Sequence, residues 1–255
     1  VRFLERLGEP ILRTCQEFGR FFILLGRTAV WALRPPYDLR EIVKQMVRVG
    51  VESIPVVFLT GLFTGMVIAL QTFKGFARFH AENYVGSVIS VSVLRELAPV
   101  LAALMVTGRV GSAMAAELGT MRVTEQIDAL IAFATQPVQY LFVPRVVASV
   151  VMLPLLVVMA DAVGIGGGYL VAVGIMHGNP VAYIRNSFEF LQLNDFTSGI
   201  IKAAVFGLIF SLIGCQKGYD TKGGAEGVGI STTQAVVAGS LSILLADFFL
   251  TKILY

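Results

Sequence analysis

From Ser53 to Phe73 the chain carries no Asp, Glu, Lys or Arg, and the run "IPVVFLTGLFTGMVIAL" fills most of that interval. A hydrocarbon core of about 30 Å is crossed by a helix of about 20 predominantly apolar residues. This interval therefore reads as a membrane span. The remainder of the chain agrees: 56% of its 255 residues are hydrophobic and 15% charged, against about 45–50% and about 25% in soluble domains. No polar block is long enough to fold as a domain outside the bilayer.

Four further spans follow the same logic. They are expected at about Asn83 to Ala116, Val146 to Met176, Phe196 to Gln216 and Ser231 to Leu250. Gly61 and Gly65 form a G-x-x-x-G that would let another helix approach the first span closely. Five spans place the termini on opposite sides. With the N-terminus inside, the inner segments hold nine basic residues before residue 49 plus Arg122, Arg145, Lys217 and Lys222. The outer segments hold Lys74, Arg78, Arg185 and Lys252. That asymmetry satisfies the positive-inside rule. The expected fold is an all-α polytopic membrane protein with about five transmembrane helices, N-terminus in and C-terminus out. Residues 1–50 would be N-terminal interfacial helices and residues 51–255 the five-span domain.

The N-terminal segment repeats Arg6, Arg13, Arg20, Arg27 and Arg34 at intervals of seven, which keeps them on one slowly drifting helical stripe. Leu4, Leu7, Ile11, Phe18, Phe22, Leu25 and Trp31 lie opposite. The run "FFILLG" between Arg20 and Arg27 is too short to span and too deep in the chain for a signal-peptide core. The pattern predicts an amphipathic helix in the interface plane with Trp31 at the water boundary. A soluble amphipathic helix packing on another domain is the alternative. Pro35-Pro36 ends this helix, and Asp38 with Glu41 reads as a capping box opening a second short helix to about Gly50.

Enzyme signatures are absent. His80 and His177 are isolated in predicted outer loops, Cys15 and Cys215 fit no metal or disulfide spacing, and there is no G-x-S-x-G, H-E-x-x-H or Walker A sequence. The stretch "KGYDTKGGAEGVG", Lys217 to Gly229, follows no strand and reads as a flexible turn between two spans. The charges inside the spans say more. A charge at bilayer depth costs about 2.5–3.5 kcal/mol on insertion scales and usually faces a cavity or a partner. Arg95, Glu96, Asp161, Lys202 and Asp247 all fall at the midplane or in the predicted outer half. Adjacent Arg95 and Glu96 point about 100° apart on a helix and need separate partners. Structural ion pairs are one reading. The other is the polar lining of an outward-facing cavity for an amphipathic ligand, built from Leu94, Arg95, Glu96, Leu97, Lys202 and Asp247.

Between the second and third spans lies "ELGTMRVTEQIDAL", Glu117 to Leu130, polar yet periodic. Val123, Ile127, Leu130, Ile131 and Ala134 share one helical face. Thr124 reads as an N-cap, Glu125 and Asp128 suit the first turn, and Gln136-Pro137 reads as the stop. The segment is predicted as a short cytoplasmic helix, either an interfacial linker or a docking helix for a cytosolic partner.

The sequence "LRELAPVLAALMVTGRVGSAMAAELGTMRVTEQIDAL", Leu94 to Leu130, together with "GYDTKGGAEGVGISTTQAVV", resembles the MlaE family of ABC-transporter permeases. The resemblance implies a membrane subunit, in the bacterial inner membrane, of a transporter that moves phospholipids between the inner and outer membranes. It implies a homodimer, a cytosolic ABC ATPase that binds ATP and magnesium in place of any cofactor in this chain, a periplasmic ring of MCE-domain proteins and a STAS-domain protein. Glu117, Met121, Arg122, Glu125, Gln126 and Asp128 would belong to the coupling helix that meets the ATPase. Reading the residues alone also admits an ion-coupled secondary transporter, although such folds usually carry an internal repeat and none is evident. A non-transporting scaffold would have little use for several charges at membrane depth.

Overall fold

The computed structural model describes residue 16 and residues 19–35 and 38–254. Arg6, Arg13, Leu4, Leu7, Ile11, Cys15, Phe18 and Pro36 of the N-terminal reading lie outside the described residues. Within them the chain is helical: α1 (residues 19–32), α2 (Leu39–Ala77), α3 (Glu82–Val123), α4 (Gln126–Ala132), α5 (Val138–Ile175), α6 (Pro180–Glu189), α7 (Leu193–Tyr219) and α8 (Gly224–Leu254). The helices α2, α3, α5, α7 and α8 are each long and apolar enough to cross a membrane, so this is a multi-pass membrane protein. Their alternation puts α4 at one end of the bundle and α6 at the other.

The spans run longer than uncharged windows suggest, because charged residues inside them find partners and the helix continues through. α2 joins the short helix Leu39–Val49 to the span Ile54–Ala77 through a tight turn at Val51–Ser53. Asp38 caps the Glu41 amide at 3.1 Å, while the Glu41 side chain turns to Gln45 at 2.8 Å instead of closing a box. α3 takes in Arg95, Glu96 and Arg109, with two wide π turns at Val93–Leu97 and Thr107–Gly111.

α3, α5 and α7 form the centre, with α2 packed on α5 and α3, and α8 on α7 and α3. Small residues set the spacing. A Cβ on Gly65 would lie 1.9 Å from the Gly164 carbonyl oxygen, and one on Gly61 3.1 Å from that of Ala160. The G-x-x-x-G of α2 thus beds against α5, as its spacing predicted. Along α7, Gly199, Gly207, Gly214 and Gly218 meet backbone carbonyls of α3 and α5. In lipid, helix association relies on such close packing rather than on a hydrophobic gradient. Phe142, Phe206, Phe210, Leu153 and Ile243 fill the core between them.

Two loops differ from their sequence reading. The α5–α7 connection contains α6, whose start is fixed by Asn179 accepting from the Val181 and Ala182 amides, with Pro180 in the first turn. The "KGYDTKGGAEGVG" segment is mostly helix: the turn is confined to Asp220–Gly223, and α8 begins at Gly224. Gly223 and Gly224, at φ +91° and +67°, supply the left-handed backbone of that turn. A hydroxyl contact of 2.9 Å between Thr221 and Ser231 then ties the turn to α8.

Candidate functional site

Two polar constellations are built into opposite halves of the bundle. The first lies toward the α6 end, where α3, α7 and α8 meet. Lys202, on α7, is fully buried, and its ammonium has three N–H donors. They go to Glu96 Oε2 at 2.8 Å, Thr251 Oγ1 at 2.7 Å and the Arg95 carbonyl at 3.1 Å. Pro99 has no N–H to return to the Arg95 carbonyl one helical turn earlier, and Lys202 supplies a donor there. Asp247 Oδ1 sits 3.1 Å from the same ammonium without an aligned hydrogen bond. With all three protons committed, Asp247 receives charge attraction alone. Thr251 links the cluster further, donating to the Asp247 carbonyl at 2.8 Å and lying 3.1 Å from Glu96 Oε1.

Arg95 points elsewhere, as its angular offset from Glu96 required. Its Nε donates to Asp195 Oδ1 at 2.7 Å. Asp195 is buried at the start of α7, where its other oxygen accepts from the Gln192 amide in a capping box. Of the six residues predicted for a cavity, the side chains of Glu96, Lys202 and Asp247 are brought together, and Arg95 joins them through its backbone carbonyl. Leu94 is buried with its carbonyl against Gly199, and Leu97 faces a shallow groove with Val57, Thr60 and Gly61 on α2. Asp195 and Thr251 were missed. The Gln192-to-Asp195 cap spacing was a usable signal for the first, and Thr251 had none. Asp161, on α5, is buried, and its Oδ1 has no hydrogen-bond partner among the described residues.

The second constellation lies at the α4 end. Glu117 is clamped between Arg48 of α2 at 3.1 Å and Arg145 of α5 at 3.0 Å. Arg145 is itself buried and also donates to the Leu141 carbonyl at 2.6 Å. Arg109 leaves the π turn of α3 to reach Glu52 at 3.2 Å, Ser53 Oγ at 2.8 Å and the Arg48 carbonyl. Three helices are thus bolted by arginines around an open groove whose lining includes Glu117, Met121 and Gln126.

α4 lies at the mouth of this groove, with Gln126 in the lining. Its only fully buried residue is Ile127, with Leu130 half-buried. Of the apolar face read from the sequence, Ile127 and Leu130 turn inward while Val123, Ile131 and Ala134 are exposed; Val123 still belongs to α3, and Ala134 lies past the end of α4. Thr124 does not cap α4: its hydroxyl donates back to the Thr120 carbonyl at 2.8 Å and closes α3. Glu125 takes the cap position at φ +60°, without a side-chain hydrogen bond to the helix. At the other end the helix stops before Gln136-Pro137. Ala134 turns left-handed at φ +56°, its amide bonds the Ile131 carbonyl, and the Thr135 amide bonds that of Leu130. This is a Schellman ending with alanine where glycine is usual. Arg122 pairs with Asp128 at 2.6 Å and stacks 5.7 Å from the Tyr219 ring centre. Of the six predicted coupling residues, Glu117, Arg122 and Asp128 are in pairs within the chain, Met121 and Gln126 line the groove, and Glu125 projects outward. Phe133, 81% exposed beside them, was missed.

Comparison with known proteins gives a consistent outline. The family described as Permease MlaE matches residues 42–253. The chain is similar to a probable ABC transporter permease protein of Rickettsia bellii, 44% identical over 255 residues, with 100% of this chain and 98% of the relative covered. It is 37% identical over 263 residues to the intermembrane phospholipid transport system permease protein MlaE of Haemophilus influenzae, with 100% and 98% covered. It is also 39% identical over 234 residues to the chloroplastic protein trigalactosyldiacylglycerol 1 of Arabidopsis thaliana, with 91% and 67% covered.

Proposed function

The chain belongs to the MlaE permease family, and from that premise we propose that it is the membrane subunit of an ABC transporter moving phospholipids between the inner and outer membranes. The observation that carries the reading is α4: a seven-residue helix held by Ile127, by half-buried Leu130 and by the Arg122–Asp128 pair, at the edge of the bundle with Glu125, Gln126, Asp128 and Phe133 exposed. A helix so placed suits docking into a groove of a separate cytosolic ATPase, which would bind the ATP and magnesium. The arginine clamps behind it would pass the movement into α2, α3 and α5. Basic residues concentrated at the α4 end support placing that end in the cytoplasm and the protein in the inner membrane.

In this reading residues 1–50 form the interfacial part and residues 51–255 the five-span permease domain. Two copies would associate, with an MCE-domain ring on the outer face and a STAS-domain protein on the ATPase. The cluster of Arg95, Glu96, Lys202 and Asp247, with Leu94 and Leu97 beside it, would border the lipid path. Charge reversal at Glu125 together with Asp128 is expected to abolish co-purification of the ATPase while the permease stays folded. Undiminished co-purification would remove α4 from that role.

One observation favours a second reading, an ion-coupled carrier: Asp161 is a buried carboxylate without an ion-pair partner among the described residues. Lipid movement driven by a proton gradient in the absence of the ATPase would select it.

A further inference from the structure

A polar cavity lies at the α4 end, between α1 and the α7–α8 turn, remote from the Lys202 cluster. Among the described residues its lining holds three cations, Arg20, Lys217 and Lys222, against one carboxylate, Asp220. Asp220 is already engaged by Arg20 at 3.5 Å. The side-chain amides of Gln216 and Gln234 add neutral donors. The walls are preformed: the Lys222 carbonyl lies so close to Gly227 that a Cβ there would sit 1.8 Å from its oxygen, and Thr221 is tied to Ser231.

The setting of this cavity identifies what could fill it. α1 exposes Phe22, Ile23 and Val30 together with Arg20 and Arg27, and Leu33 and Arg34 just beyond its end are exposed too, the pattern of a helix lying at headgroup level. Ile230, 53% exposed, forms the apolar edge of the cavity. From it an exposed apolar stripe runs down α8 through Val237, Leu241, Leu244 and Phe248. A cationic pocket at headgroup depth, opening onto an apolar track at acyl-chain depth, matches one chemical class. We infer that this cavity binds the phosphate of an anionic phospholipid, whose acyl chain lies along α8 below Ile230. The site is separate from the proposed transport path and does not depend on it.

The test uses the purified, delipidated full chain and native mass spectrometry with phosphatidylglycerol against phosphatidylcholine. One phosphatidylglycerol should be retained in preference, and each charge removed by Arg20→Gln or Lys222→Gln should reduce that preference about fivefold. A photocrosslinker at Ile230 should capture phosphatidylglycerol more than one at Phe63, an exposed residue of α2. Equal retention of the two lipids, or a preference unchanged in the double variant, would overturn the proposal. So would protection by inorganic phosphate with no lipid captured at Ile230, which would make the cavity a site for free phosphate.

Discussion

The ammonium of Lys202 lies 2.8 Å from Glu96 Oε2 and 3.1 Å from Asp247 Oδ1, so that one buried cation faces two carboxylates from different helices. Its geometry ranks the two acids: Glu96 is held by charge and hydrogen bond, Asp247 by charge. Removing the cation leaves two like charges facing each other, Asp247 largely buried and Glu96 partly exposed. Lys202→Met is expected to cost about 2 kcal/mol, less than stranding two fully buried charges because Glu96 is partly exposed. Adding Glu96→Gln and Asp247→Asn should recover most of it. Unfolding of the single and triple variants in mixed micelles measures both, and equal losses would show that the cluster is not electrostatically coupled.

Asp195 has two tasks that substitution separates. Asp195→Asn keeps an oxygen for the Gln192 amide but removes the charge that faces Arg95, and a loss of about 1 kcal/mol is expected because Arg95 is partly exposed. Asp195→Ala also removes the cap and should cost about 1 kcal/mol more. The same unfolding measurement distinguishes the two steps.

Gly65 and Gly75 lie on the same helix in opposite circumstances. A Cβ at Gly65 would collide with the Gly164 backbone, whereas nothing lies within 4 Å of one at Gly75. Gly65→Ala should separate α2 from α5 and lower stability by about 1–3 kcal/mol, while Gly75→Ala should be neutral or slightly stabilising. A cysteine crosslink between α2 and α5 reports the separation directly.

Ala134 ends α4 in a left-handed conformation that costs a non-glycine residue about 1–2 kcal/mol. Ala134→Gly should relieve this and stabilise the α4 turn, seen as slower amide exchange from Gln126 to Ala132. Faster exchange would mean that the Schellman ending does not govern the helix.

How much of this was legible in sequence follows from the range of each interaction. Five spans were readable because an uncharged apolar run is a local property, and the Gly61/Gly65 approach followed from spacing alone. That Arg95 and Glu96 need different partners also followed from helix geometry. Which partners they take did not: Asp195 and Lys202 are about a hundred residues away, and only the packing of α3 on α7 decides between candidates. The span ends were set short because Glu117 and Arg145 look solvent-bound in isolation, yet they neutralise each other within the bundle. α4 was recognised, and Ile127 and Leu130 of its apolar face do turn inward, but its start was not, since the left-handed Glu125 breaks the chain from α3 by a turn no periodicity announces.

The proposal that this permease moves lipid at the expense of a partner's ATP is tested most directly by co-reconstituting the full chain with its cytosolic ATPase in vesicles. The rate at which labelled phospholipid leaves them for an acceptor membrane is then followed. Transfer should require ATP and should be lost on charge reversal at Glu125 and Asp128, with the Lys202 cluster intact and the chain folded. Transfer that proceeds without the ATPase, driven by a proton gradient and abolished by Asp161→Asn, would contradict the account.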